Sequence, residues 1–296
     1  TTLAFARTLL GIGTALASAT GTAYMGELMH NGDSRAAANR VTASTSLGFG
    51  LGAAATSLFL LQGPTLAPGS FHLQLALALI ALLVVLRLPD PAPRRNTALL
   101  RLPFYPVGSL PFGFAILLAW ACVGLVIALM PSILAQHHLA NWSGLSTFCV
   151  ISCGLLFQPL ARRMSPPRST GLGLLVLPCS YALLAWGAHS GNLTAVLAGA
   201  IGASSACYGF IYLGGLSAVN ALAGAEKTRA SAGFFLLAYM GFSLPVIFTG
   251  LLADRFGAGT ALGLFGALLL AGCLLVAGAL LRAARNTAIQ ALLSVR

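Results

Sequence analysis

The chain has 296 residues, of which 58% are hydrophobic and only 7% charged, and its mean hydropathy is +0.90. A soluble domain carries about 25% charged residues to cover its surface, so a water-facing globule is excluded. The formal charge of +11 raises nucleic acid as a partner, but no basic run with interleaved aromatics occurs, and no nucleic-acid partner is expected.

Nine apolar runs follow along the chain, near 2–28, 40–61, 71–88, 110–134, 144–161, 169–188, 193–222, 231–253 and 258–281. Hydrocarbon offers no partner for a free N–H or C=O, so apolar runs of about 20 residues must be helices. Barrel strands would alternate in polarity over about ten residues, and that pattern is absent. The expectation is an all-α polytopic membrane protein.

Run one carries Arg7, Gly11, Ser18 and Thr22 at helical spacing and ends near Glu27. Run two contains Gly48, Gly50 and Gly52; with no preceding strand, close helix packing is expected there rather than a phosphate loop. A basic stretch with Arg94, Arg95 and Arg101 separates runs three and four. Run four holds Trp120, and His137, His138 and Asn141-Trp142-Ser143 follow it as a solvated loop. Run seven carries Ser204, Tyr208 and Tyr212 on one face, with Asn220 further on. "GLLADRFG", Gly250 to Gly257, separates the last two runs and places Asp254 beside Arg255.

If run one travels from outside to inside and the others alternate, 14 of the 16 basic residues fall on the inner side. Only Arg255 lies in an outer loop, and Arg7 lies within a span. Such an asymmetry fixes orientation and accounts for the high pI. All six cysteines fall inside runs, where they pack as small polarizable side chains. Cys149 and Cys153 share a face but have no His or acidic companion, so no metal site is expected.

Two stretches echo each other. "YMGEL" (Tyr24 to Leu28) precedes "SRAAA", and "YLGGL" (Tyr212 to Leu216) precedes "TRASA". Runs one to three therefore pair with runs seven to nine in a parallel repeat of six spans, and three helices are expected to precede Thr1. Two parallel six-helix halves joined by a basic linker resemble the major facilitator superfamily of transporters. "FARTLLGIGTA" (Phe5 to Ala15) looks like that family's fourth-helix motif. "QPLARRMSPPR" (Gln158 to Arg168) sits where its second-half loop motif belongs, with Gln158, Arg162 and Ser165 departing from it. The domain organisation implied is 1–88 as the end of the first bundle, 89–107 as cytoplasmic linker, 108–282 as the second six-helix bundle and 283–296 as a cytoplasmic tail.

The resemblance implies a central cavity lined by the helices here numbered one, four and seven. Arg7, Ser18, Thr22, Trp120, Tyr208, Tyr212 and Asn220 are the cavity candidates, because polar groups facing lipid are costly. Arg7 stands equally as a coupling charge or as a residue snorkelling at the outer boundary. Trp120, Tyr208 and Tyr212 stand as ligand contacts or as packing. Glu27 is implied as an inner-gate acid; Asp254 and Arg255 stand as a tight outer turn, with Asp254 capping the last helix, or as an outer-gate ion pair.

The function implied is secondary active transport of a small solute by alternating access in the bacterial inner membrane, with proton-coupled efflux as the narrower expectation. The helix matching the family's fifth lacks the Gly-Pro pair of many proton antiporters. No G-x-x-x-x-G-K-[ST] occurs and no cofactor is expected. The rival readings are a membrane-embedded enzyme and an inactive transporter fragment. The first lacks an intramembrane His beside a Ser and a paired intramembrane Asp.

Overall fold

The computed structural model describes residues 2–28, 34–63, 68–88 and 102–293. Eleven α-helices occur there: α1 (Thr2–Leu28), α2 (Ser34–Leu61), α3 (Ser70–Val85), α4 (Leu110–Gln136), α5 (Ser143–Ser152), α6 (Gln158–Arg162), α7 (Pro166–Ser190), α8 (Leu193–Ser204), α9 (Tyr212–Leu222), α10 (Lys227–Phe256) and α11 (Ala258–Leu293). No strand is present among the described residues.

Several short helices are parts of longer rods. A 3₁₀ turn, Cys153–Phe157, joins α5 to α6, and a π-helical segment, Ser205–Ile211, joins α8 to α9. Counted as rods, seven helical stretches among the described residues are long and apolar enough to cross a membrane. The other two runs of the sequence correspond to α1 and α3. Of these, α1 has 27 residues, whereas α3 has only 16, short of the roughly 20 that span hydrocarbon squarely.

The core lies in the last six rods. Ile116, Leu125 and Met130 of α4, Leu177 and Leu184 of α7, and Phe234 of α10 are fully enclosed. Small residues let the rods approach this closely. Gly241 of α10 faces the Leu117 carbonyl of α4, and a side chain at Gly199 of α8 would meet the Leu184 backbone of α7. Lipid gives apolar helices no hydrophobic drive to associate, so close van der Waals packing across small residues holds them together. The outer faces are apolar too: Phe71 through Leu88 are all exposed, as are Leu268, Leu274 and Leu275 of α11. Such surface is stable only against lipid tails.

One contact joins α2 to the second half of the chain. Gly144 of α5 faces the Ala53 carbonyl and Ser57, Gly50 faces Ser152, and the Ser152 hydroxyl donates to the Ser46 carbonyl at 2.9 Å. The close packing expected of three glycines in α2 is therefore carried by Gly50, since Gly48 and Gly52 face open space among the described residues.

Turns follow local chemistry. Gly191 (φ 67°) ends α7, and Asn192 caps α8 by accepting the Ala195 amide at 3.1 Å. Gly257 (φ 86°) makes the break between α10 and α11.

Candidate substrate-facing site

The two interrupted rods meet side by side. The Gly154 amide, at the α5 to 3₁₀ junction, donates to the Ser204 hydroxyl at 2.7 Å, just before the π segment. A Cβ on Gly154 would lie 2.8 Å from the Tyr208 Cβ, and one on Gly209 would lie 3.0 Å from the Phe157 Cβ. Only glycine permits this approach. A π turn shifts backbone hydrogen bonds out of α register, so side chains must take up displaced carbonyls. The Ser169 hydroxyl donates to the Phe210 carbonyl at 2.9 Å, and Gln158 Nε2 reaches the Tyr208 carbonyl at 3.4 Å.

The same segment docks on α4. The Cys207 thiol donates to the Ala119 carbonyl at 3.2 Å, which brings Tyr208 beside Trp120. Their ring centroids are 6.2 Å apart. From α10, Tyr239 meets the Trp120 ring edge-on at 5.3 Å, and Phe242 does so at 6.1 Å. Tyr208 is almost fully enclosed, while Tyr239 is 54% exposed, so the cluster has an inner wall and an open rim. The indole Nε1–H of Trp120 is buried and has no hydrogen-bond partner among the described residues. A donor left without an acceptor costs about 1–3 kcal/mol. The arrangement offers aromatic walls and an unsatisfied donor, suited to a flat, partly apolar molecule carrying an acceptor.

The other sequence candidates are placed differently. Tyr212 is buried and packs on Phe235 at 6.0 Å between centroids. Asn220 Oδ1 accepts from the Ser231 hydroxyl at 2.9 Å, a tie between α9 and α10. Asp254 lies inside α10 rather than at the start of α11; it is exposed and forms no hydrogen bond or ion pair with Arg255 among the described residues. The cap expected of it is not made, because the turn falls three residues later at Gly257. Arg7, Ser18, Thr22 and Glu27 lie on α1, but their side chains fall outside the described residues.

Sequence reasoning missed Tyr239, Phe242 and Gly154. It read Gln158 only as a departure from a loop motif, yet Gln158 touches the π segment and receives Arg162 at 3.4 Å. Arg229 ties the segment ahead of α4 to α10: its Nε donates to the Leu102 carbonyl at 2.9 Å, it pairs with Glu226 at 3.2 Å, and its guanidinium lies over Phe104.

Among the described residues, seven apolar rods packed through small residues, two of them interrupted beside an aromatic cluster, define a polytopic α-helical membrane protein. Comparison with family models matches residues 1–244 to the Major Facilitator Superfamily, and the chain belongs to that family. It is therefore a membrane transporter by family. No curated protein matches the chain. The match ends within α10, but α11 continues the same bundle: its Leu262 carbonyl accepts the Tyr181 hydroxyl of α7 at 2.8 Å.

Proposed function

We propose that this protein is a secondary active transporter that carries a small, partly apolar solute by alternating access, with Trp120 and Tyr208 as solute contacts. The buried Trp120 Nε1–H, without an acceptor among the described residues, carries this reading, since a solute acceptor would relieve its cost. Rocking of two helix bundles about a mid-membrane site is the means of exposure to either side. The proposed orientation puts the linker and the basic loops in the cytoplasm of a bacterial inner membrane. Proton-coupled efflux is the narrower form of the proposal; Arg7 and Glu27 are its charged candidates, with Ser18 and Thr22 as further cavity contacts. Asp254 and Arg255 are proposed to line the outer entrance, and the domain boundaries follow the linker at 89–107.

The test is tryptophan fluorescence and counterflow in proteoliposomes against a panel of aromatic and aliphatic solutes, with and without a proton gradient. Saturable quenching by a solute that also undergoes counterflow is expected, and Trp120→Phe should remove the quenching. Counterflow with an unchanged affinity in Trp120→Phe would exclude Trp120 as a contact.

A further inference from the structure

A second cavity lies away from the aromatic cluster. It is a groove of about 1010 Å³ between α7 and α11, running from Pro167 and Arg168 at one end to His189 and Gly259 at the other. At 1.5 Å per residue, Arg168 to His189 covers roughly 31 Å, the thickness of the hydrocarbon layer. Apart from Arg168, Tyr181 and His189, the groove's lining side chains are apolar, and methylene chains, which touch at about 3.5–4.0 Å between carbons, pack along such a surface.

Charge distinguishes the ends. Arg168 lines the groove, and Arg285 follows the lining residue Leu281 by one helical turn, at the flank of the same stripe. Both are exposed and form no hydrogen bond or ion pair among the described residues. No carboxylate lines the groove, and the first turn of α7 holds no acidic residue. The positive pole of α7 therefore points at the same end.

We propose that this groove is a binding site for an anionic phospholipid, with acyl chains along α7 and α11 and the phosphate between Arg168 and Arg285. In the orientation proposed above this is a lipid of the cytoplasmic leaflet. A basic residue near the membrane surface favours an anionic headgroup by about fivefold, so two residues give about 25-fold over a zwitterionic lipid.

Native mass spectrometry of the purified protein, mixed with equal phosphatidylglycerol and phosphatidylcholine, tests this. Excess phosphatidylglycerol is expected on the wild type. It should fall about fivefold in Arg168→Gln and further in Arg168→Gln/Arg285→Gln. Filling the groove at the exposed Ala182 with Ala182→Trp should displace both lipids, whereas Arg163→Gln, off the groove, should change nothing. Equal retention of the two lipids by the wild type, or the same excess in the double variant, would overturn the proposal. So would efficient oxidative cross-linking of the groove's exposed Cys179 to a second copy in phosphatidylglycerol vesicles, which makes a second copy of the chain the occupant.

Discussion

The Gly154 amide donates to the Ser204 hydroxyl at 2.7 Å, tying the 3₁₀ interruption of one membrane rod to the π interruption of its neighbour. Neither bend has to be stabilised alone. The Ser204 hydroxyl takes up the Gly154 amide, Gln158 at the end of the 3₁₀ turn reaches the Tyr208 carbonyl of the π segment, and both bends sit next to Tyr208 of the aromatic cluster.

Ser204→Ala should leave that amide orphaned and cost about 1–3 kcal/mol, and Gly154→Val should cost as much or more through overpacking against Tyr208. Thermal unfolding in detergent measures both. An unchanged midpoint for Gly154→Val would mean that the two rods do not meet as described.

At Trp120, stability and affinity should part company. Trp120→Phe deletes the unpartnered N–H but keeps the ring contacts with Tyr239 and Phe242, so stability should hold or rise by up to about 1 kcal/mol. Solute affinity should fall about fivefold to tenfold for loss of one hydrogen bond. A binding titration alongside thermal unfolding reads the two separately; a parallel fall in both would mark Trp120 as packing.

Arg229 fixes the segment that leads into α4. Arg229→Ala removes the donor to the Leu102 carbonyl and the stack on Phe104, and Arg229→Lys restores charge without the planar fork. Tryptic cleavage at Arg101 should quicken several-fold in Arg229→Ala and by nearly as much in Arg229→Lys. If lysine restored full protection, charge rather than geometry would be holding the segment.

Contact between α2 and the second half rests on Gly144 and Ser152. Ser152→Ala should cost about 0.6 kcal/mol, the usual worth of a hydrogen bond between membrane helices. Gly144→Leu would drive a side chain into the Ala53 carbonyl and should cost several times more, lowering the unfolding midpoint accordingly. Equal effects would place the contact elsewhere.

Part of the candidate site was legible as residue types. Trp120 and Tyr208 stood out because amphipathic aromatics are uncommon inside apolar runs, and tertiary packing does bring them together. Tyr239 and Phe242 did not stand out, since which face of α10 meets α4 depends on Gly124 and Gly241 letting the two backbones close. The interruptions were also hidden. Ser205–Ile211 contains no proline and reads as ordinary helix.

What the sequence determined by itself was the medium and the helical rods. Too few charges to cover a water-facing surface leave lipid as the solvent, and lipid forces internal hydrogen bonding. What only the tertiary structure decided was where those rods deviate and which faces meet. A π turn is held by partners from other rods, Gln158 and Ser169 here, and those partners lie 41 to 50 residues away along the chain. Local propensity carries no record of contacts made at that separation.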